Sequence, residues 1–458
     1  MTGKHLTLNY RPSESLFHDK IAAVQEINIT ADELVASLLR ISETECVCLL
    51  DSCGVGHLGS HLLIAGIDPV DTAEISSDNA AATLAKIDEL TSCDLACIFT
   101  ISYDFGQKLL GLEAQKFIVS GEPDLFIASF RVLVIHDYNT GMTFLTGNTE
   151  KFDDISAKLS TNAGTEKYDI EPPTINVTSN FTRSSYIDAI ETIKERIRSG
   201  DTYQTNLTQQ LIASLPENLS PQQIFWQLRR DHPAPFASFL KRHTSTVVSA
   251  SPERFFEIGK DRTISTSPIK GTRPRGSTTH EDNALRDELL DSKKDLAENT
   301  MIVDLLRNDL GRVCDYGSVE VEKLCELEEH PTFFHLVSTI SGKLREGIKL
   351  SEILQAVFPC GSITGAPKIS TMRIIDEIET APRGLSMGAI GYSVQSSQFK
   401  VQSCFDLSVA IRTAVIRDQT ATFNVGGGIV IDSDPESEYD ETLTKAKALL
   451  AAIGGKLS

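Results

Sequence analysis

The chain has 458 residues, 41% apolar and 23% charged, the proportions of an ordinary globular protein with a sizeable core and, by length alone, two to four domains. Its 43 basic residues against 63 acidic ones give a formal charge of −20; that field repels nucleic acid and anionic membrane, so an anionic substrate can bind only where local cations overrule it. The nine cysteines form no CxxC pair or zinc spacing, the first residues lack the apolar core of a signal peptide, and no run of about 20 apolar residues could span a bilayer, so a reduced, soluble, cytoplasmic protein is expected.

From about residue 1 to 150 the chain reads as short strands divided by turns: "CVCLLDS", "HLLIAGIDP", "LACIFTISYDFG", "FIASFRVLVIHDY" and "MTFLTGN". A polar stretch from about 151 to 180, with Pro172 and Pro173, reads as a connector. No internal period of 20 to 50 residues stands out, which argues against solenoids and propellers. Beyond it, Tyr186, Ile190, Ile193 and Ile197 recur at helical spacing, with Ser184 or Ser185 as N-cap and Gly200 as the stop. "DTYQTNLTQQL" then alternates, putting Tyr203, Thr205 and Leu207 on one face of a strand and Gln204, Asn206 and Thr208 on the other. That amide-rich face is either solvated or lines a polar cavity.

"SPIKGTRPRG" holds Lys270 in a turn stiffened by Pro268 and Pro274, with Arg273 and Arg275 close by. Taken alone it reads as a basic surface turn, which leaves open why two further cations crowd the amine. In "KKDLAENTMIVDLLRNDLGRV", Asp295 and Glu298 are three apart on a helix whose buried stripe is Met301, Ile302, Leu305 and Leu306. Glu438 and Glu441 repeat that spacing near the carboxyl terminus, with Lys445 four further on. Each pair alone is an ordinary solvated face; brought together, four carboxylates repel unless a hard divalent cation sits among them.

His335 lies in an apolar run and Cys360 has no histidine beside it in sequence, so both read as structural. "GSITGAPK" precedes a helix, whose amino terminus attracts anions. Arg412 in "SVAIRTAV" sits in an apolar strand and would need an anion if buried. Gly426 to Gly428 let a backbone approach a ligand closely, or mark a bulge. No GxxxxGK[ST] loop is present, so ATP use has no support. Helices mixed with adjacent strand pairs favour an α+β fold with antiparallel sheets.

"SNFTRSSYIDAIETIKERIRSGDTYQTNLT", "PFASFL", "SPERFF", "PIKGTRPRG", "KDLAENTMIVDLLRNDLGRV", "HLVSTISG", "GSITGAPKISTMRIIDEIE", "GAIGY", "AIRT" and "GGGIVIDSDPESEYDET" occur in this order. Together they resemble the chorismate-utilising enzymes, and most closely their aminodeoxychorismate synthase component 1 branch. The resemblance covers nearly all of 178–453, with residues 1–150 matching more weakly. It implies an α+β fold of two orthogonally packed antiparallel sheets flanked by helices. An amino-terminal region, 1–170, and a chorismate-binding region, 178–455, would interleave in one unit.

The implied reaction replaces the carbon-4 hydroxyl of chorismate with ammonia, giving 4-amino-4-deoxychorismate for para-aminobenzoate and folate synthesis. Lys270 stands where anthranilate synthases, the alternative activity, carry alanine, and Asn299 where they carry histidine. Gln204 stands where isochorismate and salicylate synthases carry a lysine base. Carried over by position, Lys270 attacks carbon 2, Glu253 is the general acid or base, and His335 lies near the leaving group. Glu298 and Glu441 would hold Mg2+ directly, with Asp295 and Glu438 acting through water. Gly271, Thr272, Thr364, Tyr392, Arg412, Gly426, Gly427, Gly428 and Lys445 would contact substrate.

Some members also hold L-tryptophan in a separate pocket, matched here by Ser52, Pro235, Phe236 and Ala237. His61 departs from the usual arginine beside it, and Cys360 from the usual glycine. No glutaminase signature appears, so the resemblance implies a separate glutamine amidotransferase subunit as ammonia source. A non-catalytic tryptophan-binding homologue is the remaining alternative.

Overall fold

The computed structural model describes residues 22–112, 121–161, 168–329, 333–401 and 403–457. Its strands form two sheets, antiparallel throughout except where Gly455–Leu457 runs parallel to Ile175–Ser179. Both sheets are shared between the two sequence regions. In the larger, Val47–Asp51 pairs with Phe236–Lys241; in the smaller, Ala96–Ile101 pairs with Ala389–Ser393.

The alternation of apolar side chains along these strands explains the layering. One face of each sheet meets the other sheet through Cys48, Ile64, Leu133 and Leu240 on one side and Ile98, Phe126, Ala128 and Ile390 on the other. The outer face of the larger sheet is covered by the helices Ala31–Ile41, Pro221–Asp231 and Pro435–Ile453. That of the smaller is covered by Ala80–Thr91, Lys293–Gly311 and Leu350–Val357. With strands buried on both faces, their sequences run apolar with little polar alternation, as in Ala96–Ile101, buried at every position.

Several expectations change. The stretch from 151 to 180 is not all connector: Phe152–Thr161 is a helix, because Phe152, Ile155 and Leu159 meet the core at helical spacing. The amino-terminal region carries helices as well as strands, the first opened by a capping box between Thr30 and Glu33. "FIASFRVLVIHDY" divides at Arg131 into Leu125–Phe130 in the smaller sheet and Val132–Asp137 in the larger. The helix read from Tyr186 is Arg183–Arg198, capped by Thr182 and not by Ser184 or Ser185; Ser185 completes its capping box. Gly200 follows it at φ +82°. No described helix is long and apolar enough to cross a membrane, and all nine cysteines are unpaired thiols.

Candidate active site

The strand Ile269–Pro274 pairs with Phe333–Lys343, as Ile269 with Val337 and then Thr272 with His335. Three steps on one strand thus oppose two on the other, a bulge at Lys270 and Gly271 that re-aims the side chains there. Gly271 has φ +82°, and a Cβ on it would meet Leu289 at 2.8 Å and Asp295 at 3.0 Å, so only glycine fits the approach of helix Lys293–Gly311. Lys270 is thereby half-buried, its Nζ donating to the carbonyl of Ser362 at 3.4 Å. Its charge acts on Glu253, Glu298 and Glu441.

The two arginines do not crowd Lys270. Arg273 is paired with Glu288 at 2.8 Å and Asp295 at 3.3 Å. Arg275 is paired with Asp282 at 2.6 Å and lies over the Phe334 ring. The helix Thr279–Leu290 supplies Asp282 and Glu288, so its acids neutralise both guanidinium groups.

Glu253 is buried in the turn between two strands, where Val409 N–H donates to its carbonyl at 3.0 Å and its own N–H donates to Ser251 Oγ at 3.3 Å. Its Oε1 is buried with no hydrogen-bond partner among the described residues. Burial pushes its carboxyl above the ordinary carboxylate range, against the opposing pull of Ser362, Lys270, Lys445 and His57. His57, also buried, lies 2.7 Å from Glu328 through Nδ1.

The four carboxylates stand on two helices, Lys293–Gly311 and Pro435–Ile453. Among the described residues no three of them close around one point. Two ammonium groups lie there instead. Lys294 Nζ is 2.9 Å from Glu438 Oε1 and 4.0 Å from Glu298 Oε1; Lys445 Nζ is 2.9 Å from Glu441 and donates to Gly426 O at 3.1 Å. Glu298 Oε1 is buried without a hydrogen bond, and burial raises its pKa. Glu441 is half-exposed; desolvation raises its pKa, but Lys445 and the other lysines outweigh it and hold it low.

The glycine strand Thr420–Ile429 pairs with Gln204–Ser214 over ten consecutive positions with no bulge. A Cβ on Gly427 would stand 3.4 Å from Glu438 and 3.6 Å from Lys445, so this residue faces the acidic cluster. On Gly426 it would meet Leu207 O at 2.0 Å and on Gly428 the Gln204 amide at 2.3 Å. Gln204, Asn206 and Thr208 are all buried, and Gln204 Oε1 and Asn206 Nδ2 lack partners; their face is not solvated. Thr364 is buried, its hydroxyl donating to Cys360 O at 3.1 Å, while Thr272 is exposed. His335 is buried on the strand opposite Thr272 and stacks on Phe333 at 4.2 Å.

Arg412 lies between strands and not within one, at φ +49°, where the chain passes from Ser403–Val409 in the smaller sheet to Thr413–Arg417 in the larger. Its half-buried guanidinium has no carboxylate within ion-pair distance among the described residues, and burial lowers its pKa. Its carbonyl accepts from Ala250 N–H at 3.0 Å, just ahead of Glu253.

Tyr392 lies elsewhere. With Ser52, Pro235, Phe236 and Ala237 it lines a cavity of about 80 Å³ between the sheets. Arg254 there is bound to Asp406 by two 2.9 Å hydrogen bonds, and His61 donates toward Gly59 O at 2.6 Å. Sequence reasoning missed Lys294, hidden in a run of charges, and Ser362, an unremarked residue of "GSITGAPK". It also missed the buried pair Glu379 and Arg383, 2.6 Å apart, whose arginine donates to Ile363 O and Asn206 O and so ties the Ser362 turn to the amide strand. The i, i+4 spacing in "EIETAPRG" was the available signal.

The sequence profile of the chorismate binding enzyme family matches residues 46–451. The chain belongs to that family. Among its relatives, an aminodeoxychorismate synthase from Streptomyces pristinaespiralis is 41% identical over 304 residues, which are 66% of this chain and 41% of that protein; the chain therefore spans well under half of that relative. An anthranilate synthase component 1 from Haloarcula marismortui is 36% identical over 420 residues, covering 85% of this chain and 84% of its own. The crystal structure of anthranilate synthase component I from Streptococcus pneumoniae superposes with TM-score 0.69 at 25% identity, covering 98% of this chain and 95% of that one. The α+β fold of two antiparallel sheets with flanking helices is that of these enzymes.

Proposed function

We propose that this chain is an aminodeoxychorismate synthase component 1, converting chorismate and ammonia to 4-amino-4-deoxychorismate. The observation that carries the reading is Lys270, turned out of its ladder by the bulge toward Ser362 and the carboxylates. Its amine forms a bond to carbon 2 of the ring, the double bonds shift, and the carbon-4 hydroxyl leaves as water with a proton from Glu253. Ammonia then bonds at carbon 4, the double bonds shift back, and the carbon–nitrogen bond to Lys270 breaks. A buried carboxyl whose pKa is raised retains the proton such a general acid must give. His335, across the ladder from Thr272, borders the same strand.

Arg412, a guanidinium without an anion, supports a site for one substrate carboxylate. The glycine strand, whose Gly427 faces Glu438 and Lys445, offers the ring a backbone surface without side chains. The orphaned oxygen of Glu298, with Glu441, Asp295 and Glu438, supports Mg2+ by donor chemistry. When bound, Mg2+ would neutralise a carboxylate of chorismate in this acidic cradle. The inter-sheet cavity is where L-tryptophan would sit. Ser52 there has a free buried hydroxyl, yet Arg254 is already committed to Asp406, so a tryptophan carboxylate gains little and weak binding is expected. The component-1 naming of the Haloarcula relative supports a separate glutamine amidotransferase partner.

Anthranilate synthase is the competing activity. Chromatography of the products made by the purified chain from chorismate, ammonium and Mg2+ separates the two. Aminodeoxychorismate is expected, and anthranilate would refute the reading.

A further inference from the structure

Lys294 stands in the middle of the carboxylates with no role in the chemistry above. Its Nζ is 2.9 Å from Glu438 Oε1, an oxygen that also accepts from Ser433 Oγ at 2.6 Å, and 4.0 Å from the orphaned Oε1 of Glu298. The two glutamates come from different helices, so this one ammonium joins the halves of the cluster. Glu438 is buried and Glu298 nearly so, whereas the Lys294 side chain is 45% exposed, leaving its long stem free to swing into solvent.

We propose that Lys294 is an internal counter-ion of the metal site, holding the carboxylates together in the metal-free chain and leaving when a divalent cation binds. The inference rests on the Mg2+ reading above and adds to it a competition within the protein. Asp295 has Arg273 and Glu441 has Lys445, so Glu298 and Glu438 are the pair whose mutual repulsion is left to Lys294. An ammonium between them relieves that repulsion, and it also reduces the population ready to accept an ion, so the apparent metal affinity is the intrinsic one multiplied by the fraction of chains in which Lys294 has moved away. A positive charge this near a divalent cation is unfavourable, so the two exclude each other. Lys445, 2.9 Å from Glu441, differs in having a second acceptor in Gly426 O at 3.1 Å, which would still hold it if a metal drew Glu441 away.

The competition predicts two effects of opposite sign. Lys294→Met should lower the melting temperature of the chain in chelator, yet bind Mg2+ at least about tenfold more tightly at low ionic strength. The experiment is isothermal titration of MgCl2 into the full chain without chorismate, beside thermal denaturation in chelator. Lys294→Gln runs in parallel as a second neutral variant, and Lys294→Arg as a charge-retaining one. Lys293→Met is the control for net charge, since Lys293 is exposed at the start of the same helix; its effect on affinity should be under about threefold. Mg2+ binding by wild type with equal or weaker binding by both neutral variants would overturn the displacement while leaving the metal site standing. No Mg2+ binding by wild type or either neutral variant would sink the metal reading itself, and this inference with it.

Discussion

Two charged regions of the molecule, the cavity between the sheets and the surroundings of Lys270, treat charge in opposite ways. Between the sheets, Arg254 is fully engaged by Asp406 and by Leu58 O at 2.8 Å. Asp51 accepts from Arg229 and Tyr138, each at 2.8 Å. Around Lys270, by contrast, Glu253 and Glu298 each leave a buried oxygen without a hydrogen-bond partner among the described residues; Arg412, three residues beyond the Val409 N–H that donates to Glu253 O, has no carboxylate within ion-pair distance among them either. Buried polar groups normally find partners within the fold, so a cluster that does not is where a ligand completes the pairing. The paired region reads as stability and the unpaired one as chemistry.

Substitutions can break that contrast. Lys270→Ala should cost the most, at least about a thousandfold in ammonia-dependent turnover with chorismate binding retained, because the covalent route through its amine is lost. A continuous assay coupled to product detection would check it; turnover within threefold of wild type removes the covalent step. Glu253→Gln should lose about a hundredfold to ten-thousandfold. In the wild type the proton on Glu253 is needed, and its pKa is raised by burial, so kcat should fall as pH rises through that raised value, higher than an ordinary glutamate would give. The residual activity of the glutamine variant should lack this limb.

Two arginines sharpen the comparison further. Arg412→Met should raise KM for chorismate about tenfold to a hundredfold, the worth of one charged hydrogen-bonded pair, and leave the melting temperature level or higher, since an unpaired cation is removed. Arg254→Met should do the reverse. It strands Asp406, whose pKa burial already pushes up to about 6, and should lose about 3 kcal/mol of stability by chemical denaturation. Because the stranded carboxyl has a folded-state pKa above its unfolded one, the loss should be smallest at low pH and grow as pH rises through the folded value. Equal stability costs for the two arginines would dissolve the distinction between the two regions.

Much of this was legible in the chain. The helix stripe through Ile302 and Leu306, the paired acids at i and i+3, and the glycine strand all follow from periods of 3.6 and 2. What was not legible depends on partners distant in sequence. That Arg273 faces Glu288 and Asp295 is decided by where helix Thr279–Leu290 packs, and that Gln204 and Asn206 are buried by a strand more than 200 residues away. Arg412 reads as a strand residue because its neighbours are apolar; they are apolar since each sheet buries both faces, and the break falls where the chain changes sheets. Tyr392 follows its motif in sequence but lines the inter-sheet cavity, a matter of which sheet face its strand presents.

The most direct test of a nucleophilic Lys270 is mass spectrometry of the intact chain and its peptides after incubation with chorismate and Mg2+ in the absence of ammonia. The account predicts a mass gain of one chorismate less one water on the Lys270 peptide, lost when ammonium is added and absent from Lys270→Ala. An unmodified Lys270 peptide in a preparation that still makes aminodeoxychorismate with ammonium would contradict it.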